Sequence, residues 1–376
     1  MRMRTGLERV ARGDVDPLRG RRVGLIANPT AVDAELRHAA DLLPGLAALF
    51  GPEHGLRGAA EAGAFVKDSE DPLSGVPVYS LYGAVRRPTP EMLRGVEVLV
   101  YDLQDVGARP YTYLSTLRGA LEAAAEAKIE LWVLDRPDPL GGEVLDGPIL
   151  ESGAESFVGA HLLPLRYAMT PGELAGMLNA ERKIGASLKV VPLTGWRRDM
   201  SFRATGLWWV APSPNIPTPE TCLVYPGFVL LEGTNLSEGR GTTRPFQLFG
   251  APWLNARELA ADLNGAGLPG ALFRATEFVP NASKFVGLAC RAVEVHVTDP
   301  KAFRACAAAT AAIATVLKRH PLEFRFQNET FDRLAGGPGL RNALLAGEPL
   351  EKIQAAWASG HQEFAQRRKT FLLYRE

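Results

Sequence analysis

The sequence predicts an α/β fold, with a mostly parallel sheet covered by helices on both faces and a smaller α+β domain at the C-terminal end. Three observations carry this. Short apolar, β-branched runs alternate with helical patterns through the first half; a stretch dense in Pro, Gly, Asn and Thr breaks that alternation from about 205 to 255; two further strand-like runs then precede a long Ala-rich helix. A chain of 376 residues has room for two domains, taken here as 1–232 and 233–376.

Taken in order, the strands expected in the first half are 22–28 (RVGLIAN), 46–50 (LAALF), 76–82 (VPVYSLY), 96–103 (VEVLVYDL), 130–135 (ELWVLD) and 188–193 (LKVVPL). Between the fourth and fifth, YLSTLRGALEAAAEAK at 113–128 is a helix of good propensity. A second helix starts at TPGELAGML, where Thr170 caps, Pro171 takes the first helical position and Glu173 completes a capping box. The middle stretch is a long loop, yet its interleaved Trp208, Trp209, Tyr225, Phe228, Phe246 and Trp253 supply buried area that argues against disorder. After it come strands at 271–280 and 291–299, a helix over 301–320 and a tail that is helical up to its last turn.

Composition excludes several classes. Hydrophobic residues at 46% and charged residues at 22% fit neither disorder nor a membrane protein. Lys plus Arg and Asp plus Glu balance at 42 each, which removes the basic field of a non-specific nucleic-acid binder. Three scattered cysteines with no CxxC make neither a zinc cluster nor a disulfide framework. The first residues, MRMRTGLERVARGDVDP, lack the apolar run of a secretory signal, and no stretch approaches the ~18 apolar residues of a membrane helix. The expectation is a cytoplasmic protein without nucleic-acid or membrane partners, its oligomeric state open.

In a parallel sheet, ligands bind at the carboxyl ends of the strands, where the strand order reverses. Asn28 follows the first strand, Glu53, His54 and Arg57 the second, Asp102, Gln104, Asp105 and Arg109 the fourth, and Asp135 with Arg136 the fifth. Polar groups thus gather at one edge. No GxGxxG follows the first strand and no GxxxxGK[ST] occurs, so a nucleotide cofactor loses its usual glycine turn. GxSxG and HExxH are absent as well. Carboxylate chemistry remains, with Glu53, Asp102, Asp105, Asp135, Glu232 and Glu238 as the pool.

Glu53 leads because it leaves a buried strand between Pro52 and Gly55, where partial desolvation favours an acid that holds its proton. Neighbours in an extended segment point to opposite sides, so His54 supports the loop rather than acting on the same atom. A mononuclear metal site built from Glu53, His54, Asp102 and Asp105 is an alternative without diagnostic spacing. Tyr111, Tyr113, Trp208 and Trp209 could stack on a sugar face or pack in the core.

Four stretches are no longer generic: LFGPEHGLRG, DLQDVGARPYTY, LDRPDPLGG with DGPIL, and PSPNIPT followed by YPGFVLLEGTNLSEGRGTTRPFQLFGAPW. Together they resemble the family once known as domain of unknown function 1343, the exo-β-N-acetylmuramidases of glycoside hydrolase family 171. The resemblance runs from about residue 5 to the C-terminal FLLY. It implies a Rossmann-like N-terminal domain plus a smaller C-terminal one, no cofactor, and release of N-acetylmuramic acid from the non-reducing end of peptidoglycan fragments. The glutamate of the family's EHG motif, its proposed catalytic residue, corresponds to Glu53.

For the second catalytic role the candidates are Asp105, Glu232, Glu238 or the substrate's own acetamido group, with His54 supporting. An arginine fork suits the lactyl carboxylate of muramic acid, and Arg57, Arg109 and Arg240 are available. Asn28, Gln104, Tyr113, Asn215 and Asn235 complete the candidate substrate contacts, and no metal is expected. Two departures from the family pattern stand out: Tyr167 and Ala168 replace a common His-Gly pair, and Asp138 replaces the Asn of the usual RPNP. A rival reading is a metal-dependent hydrolase using Glu53, His54 and Asp102 or Asp105. Another is a non-catalytic binder of wall sugars.

Overall fold

The computed structural model describes residues 3–15, 18–53, 55–56 and 69–375. His54 and Arg57 therefore lie outside the described residues. The strands are β1 (Val23–Ala27), β2 (Leu46–Gly51), β3 (Ser69–Glu70), β4 (Pro77–Ser80), β5 (Val98–Asp102), β6 (Glu130–Leu134), β7 (Asp146–Ile149), β8 (Pro164–Arg166), β9 (Ser187–Val191), β10 (Leu248–Ala251), β11 (Ala271–Phe278) and β12 (Cys290–Val297). The helices are α1 (Gly6–Ala11), α2 (Ala39–Leu42), α3 (Tyr113–Ala127), α4 (Pro171–Glu181), α5 (Pro219–Phe228), α6 (Ala256–Gly265), α7 (Ala305–Arg319), α8 (Asn328–Ala335), α9 (Gly339–Leu345) and α10 (Leu350–Arg368).

All six strands expected in the first half join one seven-stranded sheet of order β3-β4-β2-β1-β5-β6-β9. Every described pairing in it is parallel except the antiparallel edge β3–β4. Its central strands β1 and β5 are buried along their whole length, as a sheet covered on both faces requires. One face packs α1 and α2 residues with Leu25, Val98 and Trp132; the other packs α3 and α4 with Ile26, Leu99 and Val133. Thr170 and Glu173 form the anticipated capping box of α4, with Pro171 in its first turn. The fold is the expected mixed α/β one, with a second unit after the sheet.

That second unit carries an antiparallel sheet of order β10-β12-β11, on which α6 packs. It is not walled off from the first: one continuous core runs from Phe50 and Leu99 through Phe228 and Phe249 to Val293 and Phe364. At Gly227 the start of α7 approaches so closely that a Cβ would lie 2.0 Å from the Ala305 carbonyl oxygen. Several elements were not expected, the glycine- and proline-rich ones among them. The β7–β8 hairpin, the short β10, and α5 with the 3₁₀ turn Val229–Gly233 behind it all form from segments rich in Gly or Pro.

The strand order reverses between β1 and β5. Protein groups fill the crevice there. Asn28 Oδ1 accepts from the Thr30 backbone N–H (3.0 Å) and from its hydroxyl (2.6 Å), while Asn28 Nδ2 bonds Tyr113. The Gln104 N–H bonds Thr30 Oγ1 at 2.9 Å. Only about 10 Å³ of space remains among Thr30, Gln104, Arg136, Phe202 and Trp209.

Candidate active site

The open cleft lies one strand away from that crevice, past the end of β2. Gly51 ends β2 with Leu56 folded back over it, so that a Cβ there would meet the Leu56 nitrogen at 2.9 Å. Gly55 takes φ +75°, and its N–H bonds the Pro52 carbonyl at 2.9 Å. This turn presents Glu53, partly buried, at the N-terminal end of α3. Thr112 occupies the N-cap position of that helix but makes no side-chain cap hydrogen bond. Its hydroxyl donates to Glu53 Oε2 at 2.8 Å instead. Tyr82 also hydrogen-bonds Glu53, and burial first, then the Glu53 charge, pushes its phenol above the ordinary value.

Facing Glu53 is the segment EGTNLSEGR. The 3₁₀ turn after α5 delivers Glu232, and the loop beyond it delivers Glu238 and Arg240. Arg240 bonds Glu232 Oε1 at 2.6 Å and stands 3.4 Å from Glu238 Oε1, its guanidinium 5.1 Å from the Phe246 ring centre. Burial holds Glu232 above the usual carboxylate range, with Arg240 opposing and Glu238 adding to the rise. Arg240 is driven further toward its charged form by both glutamates, against its own burial.

Two connected spaces share Glu53, Asn215, Glu232 and Arg240 as walls. The inner one, about 220 Å³, is lined by Tyr82, Tyr111, Tyr225 and Phe246. Tyr111 meets Tyr113 edge-on at 4.7 Å and Tyr225 at 5.9 Å, and Tyr225 meets Phe246 at 4.8 Å, so the chamber has a rigid aromatic floor. The outer one is a groove of about 1160 Å³ bordered by Glu238, Thr242, Asn281 and Lys284.

Five sequence-derived residues thus meet in one cleft: Glu53, Asn215, Glu232, Glu238 and Arg240. Others stand behind it. Asp105 is buried, accepts from the Gly107 N–H at 2.8 Å and from the Tyr167 hydroxyl, and is raised to about 6 by burial. Tyr113 is fully buried under Tyr111 and donates to the Pro212 carbonyl at 2.8 Å. Asn28 and Gln104 are tied into the filled crevice, Gln104 through the carbonyls of Asp105 (2.9 Å) and Pro137 (2.8 Å).

Arg109 does not line the cleft. Its guanidinium caps the carbonyls of Pro148 (3.0 Å), Leu163 (2.7 Å) and Leu334 (2.9 Å), and burial lowers it to about 9. Asn235 ties the motif loop to the Glu323 carbonyl and the Arg325 N–H, each at 2.8 Å. Asp102 is clamped by Arg136, and Asp135 accepts from Gly172 N–H and the Thr170 hydroxyl, both at 2.8 Å. The carboxylates other than Glu53 that could have formed a metal site with it are therefore committed elsewhere. Trp208 is exposed and Trp209 bonds the Ile216 carbonyl at 3.2 Å; neither lines the cleft. Sequence reading missed Tyr82, Thr112 and Lys284. Thr112 sits inside the DLQDVGARPYTY stretch, but nothing in Tyr82 or Lys284 signalled the cleft.

A doubly wound α/β protein with glutamates on both walls of an aromatic-floored cleft fits the class of glycosidases. Comparison with known proteins agrees. Family models described as Exo-beta-N-acetylmuramidase NamZ, N-terminal and C-terminal, match residues 23–220 and 223–374. The chain is 46% identical over 379 residues to the peptidoglycan beta-N-acetylmuramidase NamZ of Bacillus subtilis (strain 168), covering 99% of this chain and 92% of that one. Two solved DUF1343 family proteins from Bacteroides fragilis share the fold. One has a TM-score of 0.92 at 38% identity, covering 100% of this chain and 99% of its own; the other has 0.82 at 28%, covering 100% of both. The chain belongs to the exo-β-N-acetylmuramidase NamZ family of glycosidases.

Proposed function

We propose that this chain releases N-acetylmuramic acid from the non-reducing end of peptidoglycan fragments, with Glu53 as the general acid. The carrying observation is that Glu53 and Glu232 wall the same inner chamber while approaching it from different parts of the chain. Glycoside hydrolysis needs one carboxyl group to protonate the leaving oxygen and a second group to stabilise or attack the oxocarbenium-like carbon. Thr112 and Tyr82 orient Glu53 for the first role. For the second, Glu232 is the better placed of the two motif glutamates, because Glu238 borders only the outer groove.

The inner chamber has the size of a single sugar ring and closes on buried aromatic side chains, which suits a terminal residue entering end-on. Among the described arginines, Arg240 is the one that lines it, and it is our candidate for the lactyl carboxylate. Saccharide in the outer groove would be the aglycone. The test is Glu53→Gln assayed on a chromogenic N-acetylmuramide. We expect kcat/KM to fall by about a hundredfold or more; a loss within about tenfold, less than ~1.4 kcal/mol of transition-state stabilisation, would remove Glu53 from the reaction.

A further inference from the structure

We propose that Lys284 is a positioning residue of the cleft, whose ammonium fixes where Glu232 and Glu238 stand. The inference rests on the glycosidase reading above and deepens it. The segment carrying both glutamates has no regular structure beyond the short 3₁₀ turn, so nothing periodic sets the spacing of the two side chains. Lys284 Nζ spans it. It donates to the carbonyls of Leu231 (2.8 Å) and Leu236 (2.8 Å), lies 3.3 Å from the Glu232 carbonyl and bonds Glu238 Oε2 at 3.1 Å. One ammonium has three N–H donors, so four acceptors on both sides of the turn saturate it.

The lysine comes from far along the chain, in the connection between β11 and β12, and that connection is built to hold it. Ser283 and Phe285, the residues on either side, both adopt left-handed backbone (φ 67° and 60°), a conformation that side chains disfavour. Ser283 Oγ adds a bond to Glu238 Oε1 at 3.2 Å. The Asn281 N–H bonds the Gly241 carbonyl at 3.0 Å, and Gly241 is packed so closely that a Cβ would meet the Ala282 nitrogen at 2.4 Å. The hairpin is thus stapled to the motif loop on both sides of Arg240, and its strained turn serves to deliver one cation beneath two acids.

Arg240 faces both glutamates from their own loop, Lys284 faces them from the hairpin, and Tyr225 lies beside Glu232 from α5. Removing Lys284 leaves Arg240 as the one cation in contact with the pair among the described residues. Glu232 then ionises at higher pH, because an opposite charge that held it down has been lost.

The experiment compares wild type, Lys284→Met and Lys284→Arg across pH on the same N-acetylmuramide. For the methionine variant we expect kcat to fall at least tenfold with KM changed less than about threefold, and the acidic limb of kcat to move up by about one pH unit. The arginine variant keeps the charge, but its planar fork cannot converge on three carbonyls. It should leave the limb in place while kcat still falls, and it supplies the readout should the methionine variant not fold. A merely structural lysine would lower the melting temperature and leave kcat and the limb of the folded fraction unmoved, which would overturn the inference. No turnover by wild type would instead overturn the glycosidase reading. Full turnover by the Lys284 variants beside an active wild type would sink this inference alone.

Discussion

Asp138 shows how a single atom sets a pH response. It is buried, its Oδ1 accepts from the Leu140 N–H at 2.9 Å, and its Oδ2 has no hydrogen-bond partner. Burial raises it to about 7; the Leu140 N–H and Arg166 oppose, and Asp105 adds. An acid raised in the folded state binds more protons folded than unfolded, so its stabilising effect is complete below pH ~4 and is lost as pH climbs toward 7. Asn fits the same shape without titrating. The stability advantage of Asp138→Asn over wild type in urea denaturation should widen by roughly 2–3 kcal/mol between pH 5 and pH 8; parallel stability curves for the two proteins would show that this carboxyl does not titrate in that window. At this scale the sequence was half legible. Glu53, Glu232 and Arg240 could be picked out because they sit in contiguous motifs of unusual composition. Thr112 and Lys284 could not, because their roles depend on where α3 begins in space and on a hairpin that folds back across the chain.

Among the elements, strands were legible where burial on both faces leaves a continuous apolar run, as in β1 and β5. The β7–β8 hairpin was not, because Asp146-Gly147-Pro148-Ile149 contradicts strand propensity and pairs only in its tertiary setting. There the Cys306 N–H bonds Asp146 Oδ2 at 2.8 Å, and a Cβ on Gly147 would meet Cys306 Sγ at 2.6 Å. α5 had the same Thr-Pro start as α4, hidden among the prolines around it. The link from β8 to α4 carries a further local conflict. Ala168 adopts φ 53°, with its carbonyl accepting from Arg198 and Arg368, each at 2.7 Å. A glycine suits that backbone, because it has no Cβ to crowd the carbonyl. Ala168→Gly should therefore stabilise the protein by about 1 kcal/mol without moving either arginine. The denaturation midpoint at constant m-value is the measurement, and an unchanged or lower midpoint would show that the left-handed turn costs nothing here.

The whole molecule is closed by its last residues. Past α10 the chain returns to the carboxyl edge of the seven-stranded sheet, where the Leu373 N–H bonds Glu173 Oε1 at 2.9 Å. The Tyr374 hydroxyl accepts from the Leu193 N–H at 2.8 Å and donates to Asp135, with its ring edge-on to Trp196 at 5.0 Å. Asp135 in turn holds the start of α4, so the C-terminus is tied to β6, β9 and α4 at one point. With the largest core cluster shared between the two units, separating them would expose its apolar side chains to water. Tyr374→Phe keeps the ring packing but leaves Asp135 Oδ2 short of one donor and the Leu193 N–H without its acceptor. Orphaning buried polar groups costs about 1–3 kcal/mol. We expect unfolding to stay a single transition by fluorescence and circular dichroism, at a lower urea midpoint, with kcat/KM within about twofold of wild type because the clasp lies away from the Glu53 cleft. If unfolding split into two transitions, the clasp rather than the shared core would be what joins the units; if the midpoint did not move, solvent would be replacing the hydroxyl at no cost.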